Sequence, residues 1–316
     1  MERTIHSAVI TGPTGAVGNA LVSVLLQNNI TVYAAVRPES ARNRFLGENN
    51  TEVERKNLHL VPCALSDYDT LPERIPSGAD AFFHLAWAAT TGAGRNDMDA
   101  QIENIRASVH AVRAAAKLGC RVFIGAGSQA EYGRFEGRLC PDTPCFPENG
   151  YGMAKLCAGE MTHTECAKYG LDHIWMRILS VYGPNDNPDS LIMTLIRKFL
   201  AGEAPAVTNG EQIWDYLYSG DAGRALYLAA QYGRNGAVYP LGSGCARPLR
   251  EYIETVHDVV NPACSIGFGE IPYAEKQVMQ LEADISALKE DCVFSPDFTF
   301  ENGIMQTLIR IEKQKE

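Results

Sequence analysis

Tyr151 and Lys155 stand four residues apart in the run Tyr151-Gly-Met-Ala-Lys155, a spacing that puts a phenol and an ammonium on one face of a helix. An ammonium so close stabilises phenolate. For a tyrosine to exchange a proton near neutral pH its pKa must fall from about 10 by roughly 3, or about 4 kcal/mol, which cations held close to it can supply. Tyr-x-x-x-Lys on its own occurs by chance in many helices. Ser128 gives it meaning: it lies 23 residues before Tyr151, at the C-terminal end of the fifth predicted strand, where open parallel sheets place their active sites.

A second chemical feature lies at the start of the chain. The run Gly12-Pro13-Thr14-Gly15-Ala16-Val17-Gly18 directly follows the first predicted strand. Its spacing lets backbone approach a diphosphate at Gly12 and Gly15, lets helix pack on strand at Gly18, and points helix N-terminal amides at the anion. The position at the first strand-to-helix junction predicts a dinucleotide site. An NAD-preferring site has Asp or Glu after the second strand. Here that strand ends in Arg37, with Arg42 and Arg44 beyond, and a cation there suits a 2′-phosphate. The other reading of Arg37 is a solvated helix-start residue.

The elements that must position these groups alternate. Short β-branched runs are predicted at Ser7 to Thr11, Thr31 to Val36, Leu58 to Cys63, Ala81 to Leu85, Arg121 to Gly125 and His173 to Ile178, with helical segments such as Ala16 to Gln27, Asp97 to Leu118 and Gly150 to Tyr169 between them. That alternation predicts an α/β fold of the doubly wound, Rossmann type with a parallel sheet. Beyond Gly183 the rhythm changes. A polar loop at Asn185 to Ser190, a helix at Leu191 to Leu200, a strand at Trp214 to Tyr218 and a helix at Ala222 to Gln231 are expected there. We expect a dinucleotide-binding domain over residues 1–183 and a smaller mixed α/β substrate-binding region over 184–316, with some strand and helix exchange back to the first domain.

The composition narrows the class. At 316 residues the chain buries roughly three quarters of its unfolded surface. Its 46% hydrophobic and 21% charged residues are globular in balance and exclude disordered, collagenous and coiled-coil classes. A formal charge of −10 argues against a nucleic-acid or anionic-membrane surface. Nine cysteines without a Cys-x-x-Cys pair suggest neither a disulfide framework nor a zinc ribbon, and no metal is expected. The opening MERTIHSAVITG has no long apolar stretch, and the expectation is a soluble cytoplasmic protein.

TGPTGAVG at the start, FHLAW at Phe83 to Trp87, GSQAEYG at Gly127 to Gly133, YGMAK, and RILSVYGP at Arg177 to Pro184 together resemble the extended short-chain dehydrogenase/reductase family, in its nucleotide-sugar epimerase, dehydratase and reductase branch. GEQIWDYLYSGD at Gly210 to Asp221 and PLGSG at Pro240 to Gly244 extend the likeness to nearly the whole chain. The resemblance implies Tyr151 as general acid/base, Lys155 as the group that binds nicotinamide-ribose hydroxyls and lowers the Tyr151 pKa, and Ser128 as the hydrogen-bond partner of the substrate oxygen. It implies cofactor contacts from Gly12, Thr14, Gly15, Ala16 and Val17, from Arg37, from Asp67 at the adenine, from Leu85 and Ala86, and from Leu179, Ser180 and Val181 under the nicotinamide. Asn104 reads either as a support of the site or as a surface helix residue. Relatives pair the two long helices across a twofold axis, which implies a homodimer.

Departures from the pattern matter as much. Dehydratases of the family carry an acidic pair after the serine-motif hydroxyl, where this chain has Gln129 and Ala130, so water elimination is not expected. Glu131, one position off, reads as a satisfied supporting acid. Trp214 replaces the phosphate-binding Arg of a Gln-x-Arg-Asp pattern that begins here at Gln212, and Lys276 stands near the position of another such Arg. Trp214 is read either as a stacking surface or as core. Trp87 is expected to line the pocket, with Gln129 beside it, while His84, at the end of a buried strand, reads as core. The expected activity is NADP-dependent reduction of a 4-keto-6-deoxy nucleotide sugar, NAD being possible. The alternatives are an NAD-dependent 4-epimerase, reduction of a non-sugar carbonyl, or a cofactor-binding regulator.

Overall fold

A computed structural model describes residues 2–48, 50–75 and 77–313. Its first half alternates strand and helix. Strands β1 (Ser7–Thr11), β2 (Thr31–Val36), β3 (Leu58–Pro62), β4 (Ala81–His84), β5 (Val122–Ser128) and β6 (Asp172–Ile178) are joined by α1 (Ala16–Gln27), the short α2 (Glu52–Arg55) and α3 (Leu71–Arg74), and the long α4 (Met98–Lys117) and α5 (Gly150–Tyr169). The second half holds short strands β7 (Ser180–Tyr182), β8 (Ala206–Val207), β9 (Ile213–Trp214), β10 (Tyr216–Tyr218), β11 (Ala237–Leu241), β12 (Arg247–Pro248) and β13 (Gly267–Phe268). Its helices are α6 (Leu191–Leu200), α7 (Ser219–Tyr232), α8 (Leu249–Val260), α9 (Ser286–Cys292) and α10 (Phe300–Lys313).

Seven strands form one parallel sheet in the order β11-β6-β5-β4-β1-β2-β3. This is the doubly wound α/β arrangement predicted, and the order reverses between β1 and β4, the switch point at which such sheets bind ligands. The register sets Thr11 beside both Ala35 and His84, so the ends of β1, β2 and β4 open together. β5 runs three residues past its predicted end and carries Ser128 to the rim.

Each sheet face is covered by helices whose apolar stripe matches the strand residues. On one face Leu21, Val22, Leu25 and Leu26 of α1 pack with Ala222, Ala225, Leu226 and Ala229 of α7. On the other, Ala107, Ala111, Val112 and Ala115 of α4 cover Phe82 and Phe123. A third cluster joins Leu195 and Phe199 of α6 to Tyr252 of α8 and Phe300 of α10. The second half therefore contributes β11 and α7 to the main sheet layer while it builds its own small core.

One predicted strand is divided. Trp214 to Tyr218 breaks at Asp215, whose fully buried carboxylate accepts from Ser243 N and Oγ at 2.7 and 2.6 Å and from Gly244 N and Ala283 N, each at 3.1 Å. Four donors from distant turns outweigh continuation of one strand. Among the described residues, no helix is long and apolar enough to cross a membrane.

Candidate active site

The glycine turn is shaped by close approach. Gly12 has φ +70°, and a Cβ there would come within 2.6 Å of Ala86 N, so glycine is needed both for conformation and for room. A Cβ on Gly18 would meet the Gly12 carbonyl oxygen at 2.2 Å. Gly15 differs: a Cβ there would touch only that same oxygen, at 4.0 Å, and the space above it is open. Gly15 is also the N-cap of α1, with no capping side chain and no acid in the first turn. The bare amides of a helix start facing an open cradle are what a diphosphate requires. The residues present thus fit a dinucleotide cofactor.

A cleft of about 360 Å³ extends from this turn to the end of β5. It is lined by Gly12, Gly15, Ala16 and Val17 at one end, by Leu85 and Trp87 after β4, by Ser128, Tyr151 and Lys155, and by Leu179 and Val181. Tyr151 sits in the first turn of α5, which Asn149 caps by accepting from Gly152 N at 2.9 Å. Burial pushes its phenol up, while a hydrogen bond from Ser128 and the charge of Arg95 pull it down. Lys155, one turn on, is 4% exposed, and its Nζ donates to the Ala126 carbonyl at 2.5 Å. Burial lowers the ammonium to about 7, opposed by the Glu131 charge. The expectation that Lys155 lowers the tyrosine meets a different arrangement here: its Nζ is 3.8 Å from the Trp87 ring centroid, against 5.9 Å for the Tyr151 ring. The ammonium faces the indole and the strand carbonyl rather than the phenol.

Behind Ser128 lies a buried ion pair. Glu131 accepts from Ser128 N at 2.7 Å, from Trp175 Nε1 at 3.1 Å and from Arg177 Nε at 2.7 Å, and it is fully buried. Its carboxylate is spent on these donors and turned into the protein. Gln129 beside it is half-buried and Ala130 buried, so no acid pair follows Ser128.

The loop after β4 is fixed from α4. Asn104, 1% exposed, accepts from Ala88 N at 2.8 Å and donates to its carbonyl at 3.0 Å. Gln101, 2% exposed, accepts from Trp87 Nε1 at 2.9 Å and donates to the Ala89 and Gly94 carbonyls at 3.1 Å. Of the two readings of Asn104, the supporting one describes what it does. His84 bonds Thr11 and Ser108 through its two ring nitrogens, and burial lowers it to about 3. It is a neutral core residue, as read.

A second cleft of about 300 Å³ lies beside the first and is lined by Gln212, Trp214, Tyr216, Thr208 and Gln277. Trp214 packs at the edge of the core and donates from Nε1 to Ser180 Oγ at 2.8 Å. Lys276 is exposed and lines neither cleft, and the neighbouring Gln277 faces the second one instead. Thr14 is half-buried within the glycine turn, Arg37 is exposed just after β2, and Asp67 is exposed in the turn after β3. Ala86 is held by the Thr11 hydroxyl at 3.3 Å. Thr90, Asp186 and Arg95 escaped the sequence reading. Thr90 and Asp186 line the first cleft, and Arg95 covers the Tyr151 ring.

Comparison with known proteins agrees with this geometry. The model of the NAD dependent epimerase/dehydratase family matches residues 8–242. Over 325 residues the chain is 26% identical to the UDP-N-acetyl-alpha-D-glucosaminuronate decarboxylase of Bacillus cytotoxicus, covering 95% of this chain and 96% of that protein. Its fold matches that of the UDP-glucose 4-epimerase of Thermotoga maritima, solved with UDP-glucose, at a TM-score of 0.85 and 22% identity over 98% of this chain and 100% of that one. The UDP-glucuronic acid 4-epimerase of Bacillus cereus, solved with NAD, matches at 0.81 and 20% identity over 98% and 99%. With the match extending from β1 into the turn after β11, this chain belongs to the NAD dependent epimerase/dehydratase family.

Proposed function

We propose that this protein is an oxidoreductase acting at C4 of a nucleotide sugar, with Ser128, Tyr151 and Lys155 as its reacting groups. The observation that carries the reading is that these three side chains line the same cleft as the bare N-terminus of α1. Bound NAD(P) supplies the redox equivalents. Gly12, Thr14, Gly15, Ala16 and Val17 would hold its diphosphate, Asp67 its adenine, Leu85 and Ala86 the cleft wall, and Leu179, Ser180 and Val181 the nicotinamide end. When a ketone at C4 becomes an alcohol, its oxygen takes the proton from Tyr151 Oη, with Ser128 Oγ donating to the same oxygen. Glu131 fixes Ser128 by accepting from its backbone amide. Gln212, Trp214, Trp87 and Gln129 would contact the sugar nucleotide.

Within this chemistry, reduction of a 4-keto-6-deoxy sugar by NADPH is the first reading, and Arg37 carries it. A reductase exchanges its cofactor at every turnover and gains from recognising a 2′-phosphate, whereas an epimerase recycles one bound NAD. The second reading, 4-epimerisation, is supported by the 4-epimerases among the similar solved structures. The residues at the site do not favour elimination of water, because the acids it needs are replaced by Gln129 and Ala130 and Glu131 is buried.

The cofactor decides between them. A charge-assisted bond from Arg37 is worth about 1.5–3 kcal/mol, roughly ten- to a hundredfold in affinity. On the first reading, protein purified without added cofactor is largely empty, binds NADPH more tightly than NADH, and loses that preference in Arg37→Asp. Stoichiometric NAD carried through purification would select the epimerase.

A further inference from the structure

We propose that Arg95 is an electrostatic positioning residue for Tyr151, held over the ring by the loop after β4 so that it stabilises negative charge on the phenolate. This rests on the acid/base role given above to Tyr151. The guanidinium carbon lies 4.5 Å from the ring centroid. Its placement is built in from three sides. Gln101 Nε2 holds the Gly94 carbonyl at 3.1 Å, and Asn96 Oδ1 accepts from Gly150 N, the residue before Tyr151, at 2.9 Å. At Gly150 a Cβ would crowd the Arg95 carbonyl at 3.0 Å, so the small residue lets the two segments meet.

The groups facing Tyr151 divide by sign. Ser128 of β5 and Arg95, the cation over the ring, both favour the ionised form of the phenol. Glu131, from the turn after β5, opposes ionisation. Lys155 of α5 is turned to the Ala126 carbonyl and the Trp87 face, and burial lowers its ammonium. Arginine keeps its charge at every working pH. Over a neutral ring it gains only the attraction of the π-face, and over a phenolate it gains a full Coulomb term as well, so the difference favours the ionised form. Among the described residues Arg95 forms no ion pair that would divert this charge.

The test reads the phenol itself. Protein carrying tyrosine labelled with carbon-13 at Cζ is titrated by NMR, with Tyr151→Phe identifying the resonance, in the wild type and in Arg95→Ala, Arg95→Gln and Arg95→Lys. The midpoint is expected to move to higher pH in both neutral variants and to return close to wild type in the lysine variant. Once the substrate is in hand, kcat/KM at neutral pH should fall about three- to thirtyfold in Arg95→Ala. An unmoved midpoint in Arg95→Ala and Arg95→Gln overturns the proposal, as does a raised KM with an unmoved midpoint, which would make Arg95 a substrate contact. The titration needs no substrate. Wild-type turnover in Tyr151→Phe would remove the acid/base reading separately, so the two failures are told apart.

Discussion

Trp214 Nε1 donates to Ser180 Oγ at 2.8 Å, and this bond ties the two clefts together. Ser180 belongs to β7, between the cofactor-cleft residues Leu179 and Val181, and Trp214 lines the second cleft from β9. β7 pairs in parallel with β10, so the wall between the clefts is a small sheet edge pinned by one indole. Phenylalanine keeps the aromatic surface and removes the donor. Trp214→Phe should therefore raise substrate KM about two- to tenfold, matching one hydrogen bond of about 0.5–1.5 kcal/mol, with a smaller loss in cofactor affinity through the freed Ser180. Fluorescence titration with cofactor beside steady-state kinetics checks both halves, and an equal loss in both would place Trp214 in the fold rather than at the substrate.

The phenol of Tyr151 is the group whose removal should cost most. Tyr151→Phe deletes the proton donor and leaves the glycine turn untouched, since the two ends of the cleft are built by different elements. Turnover should fall by at least about a hundredfold with cofactor affinity retained. Turnover close to wild type in this variant would remove the mechanism.

The glycine turn, the alternating elements and the Tyr151 and Lys155 pair were legible because each is a local pattern, and Ser128 through the likeness of Gly127 to Gly133 to the family. Gly12 to Gly18 is a single turn, and the Tyr-to-Lys spacing is one helical repeat. The parts that were not legible depend on side chains meeting across the fold. Arg95 reaches Tyr151 only because Gln101 and Asn96 latch its loop, and nothing in the run Thr90 to Asn96 announces that. Glu131 meets its partner Arg177 from a different strand. Lys276 stands near the position of a phosphate-binding Arg in relatives, yet a one-residue difference in facing gives the cleft Gln277 instead. Asp215 breaks a strand that periodicity would continue, because its acceptors are filled from turns near Ser243 and Ala283.

Assembly is open to a direct measurement. Met98 and Ile102 on α4 are each 53% exposed, and Met153 and Met161 on α5 are 51% and 46% exposed. Cys157 falls between the last two, so an apolar row repeats every four residues along α5. Two packed helices that both present such rows outward match a four-helix interface between two copies. Light scattering should give a dimer at micromolar concentration, and Ile102→Glu combined with Met153→Glu should give a monomer. A monomeric wild type would remove this interface.

Lys155 ties catalysis to stability through its burial. Desolvation lowers its ammonium to about 7, with Glu131 opposing, while in the unfolded chain it titrates near the ordinary lysine value of about 10.5. Between those limits the unfolded state binds more protons than the folded one, so stability rises with pH from about 7 towards 10.5. Below 7 both states are protonated, and the cost of the buried charge is fully present. Methionine fills the same space without the charge. Lys155→Met should therefore be inactive yet more stable than wild type at pH 7 and below, by on the order of a few kcal/mol, and its advantage should shrink as pH approaches 10. Urea unfolding of both proteins at pH 6, 8 and 10 measures that difference. An advantage that stays constant across the series would mean that the ammonium is not destabilised by burial, and the charge of Lys155 would then have to be balanced by a partner other than the Ala126 carbonyl and the Trp87 face.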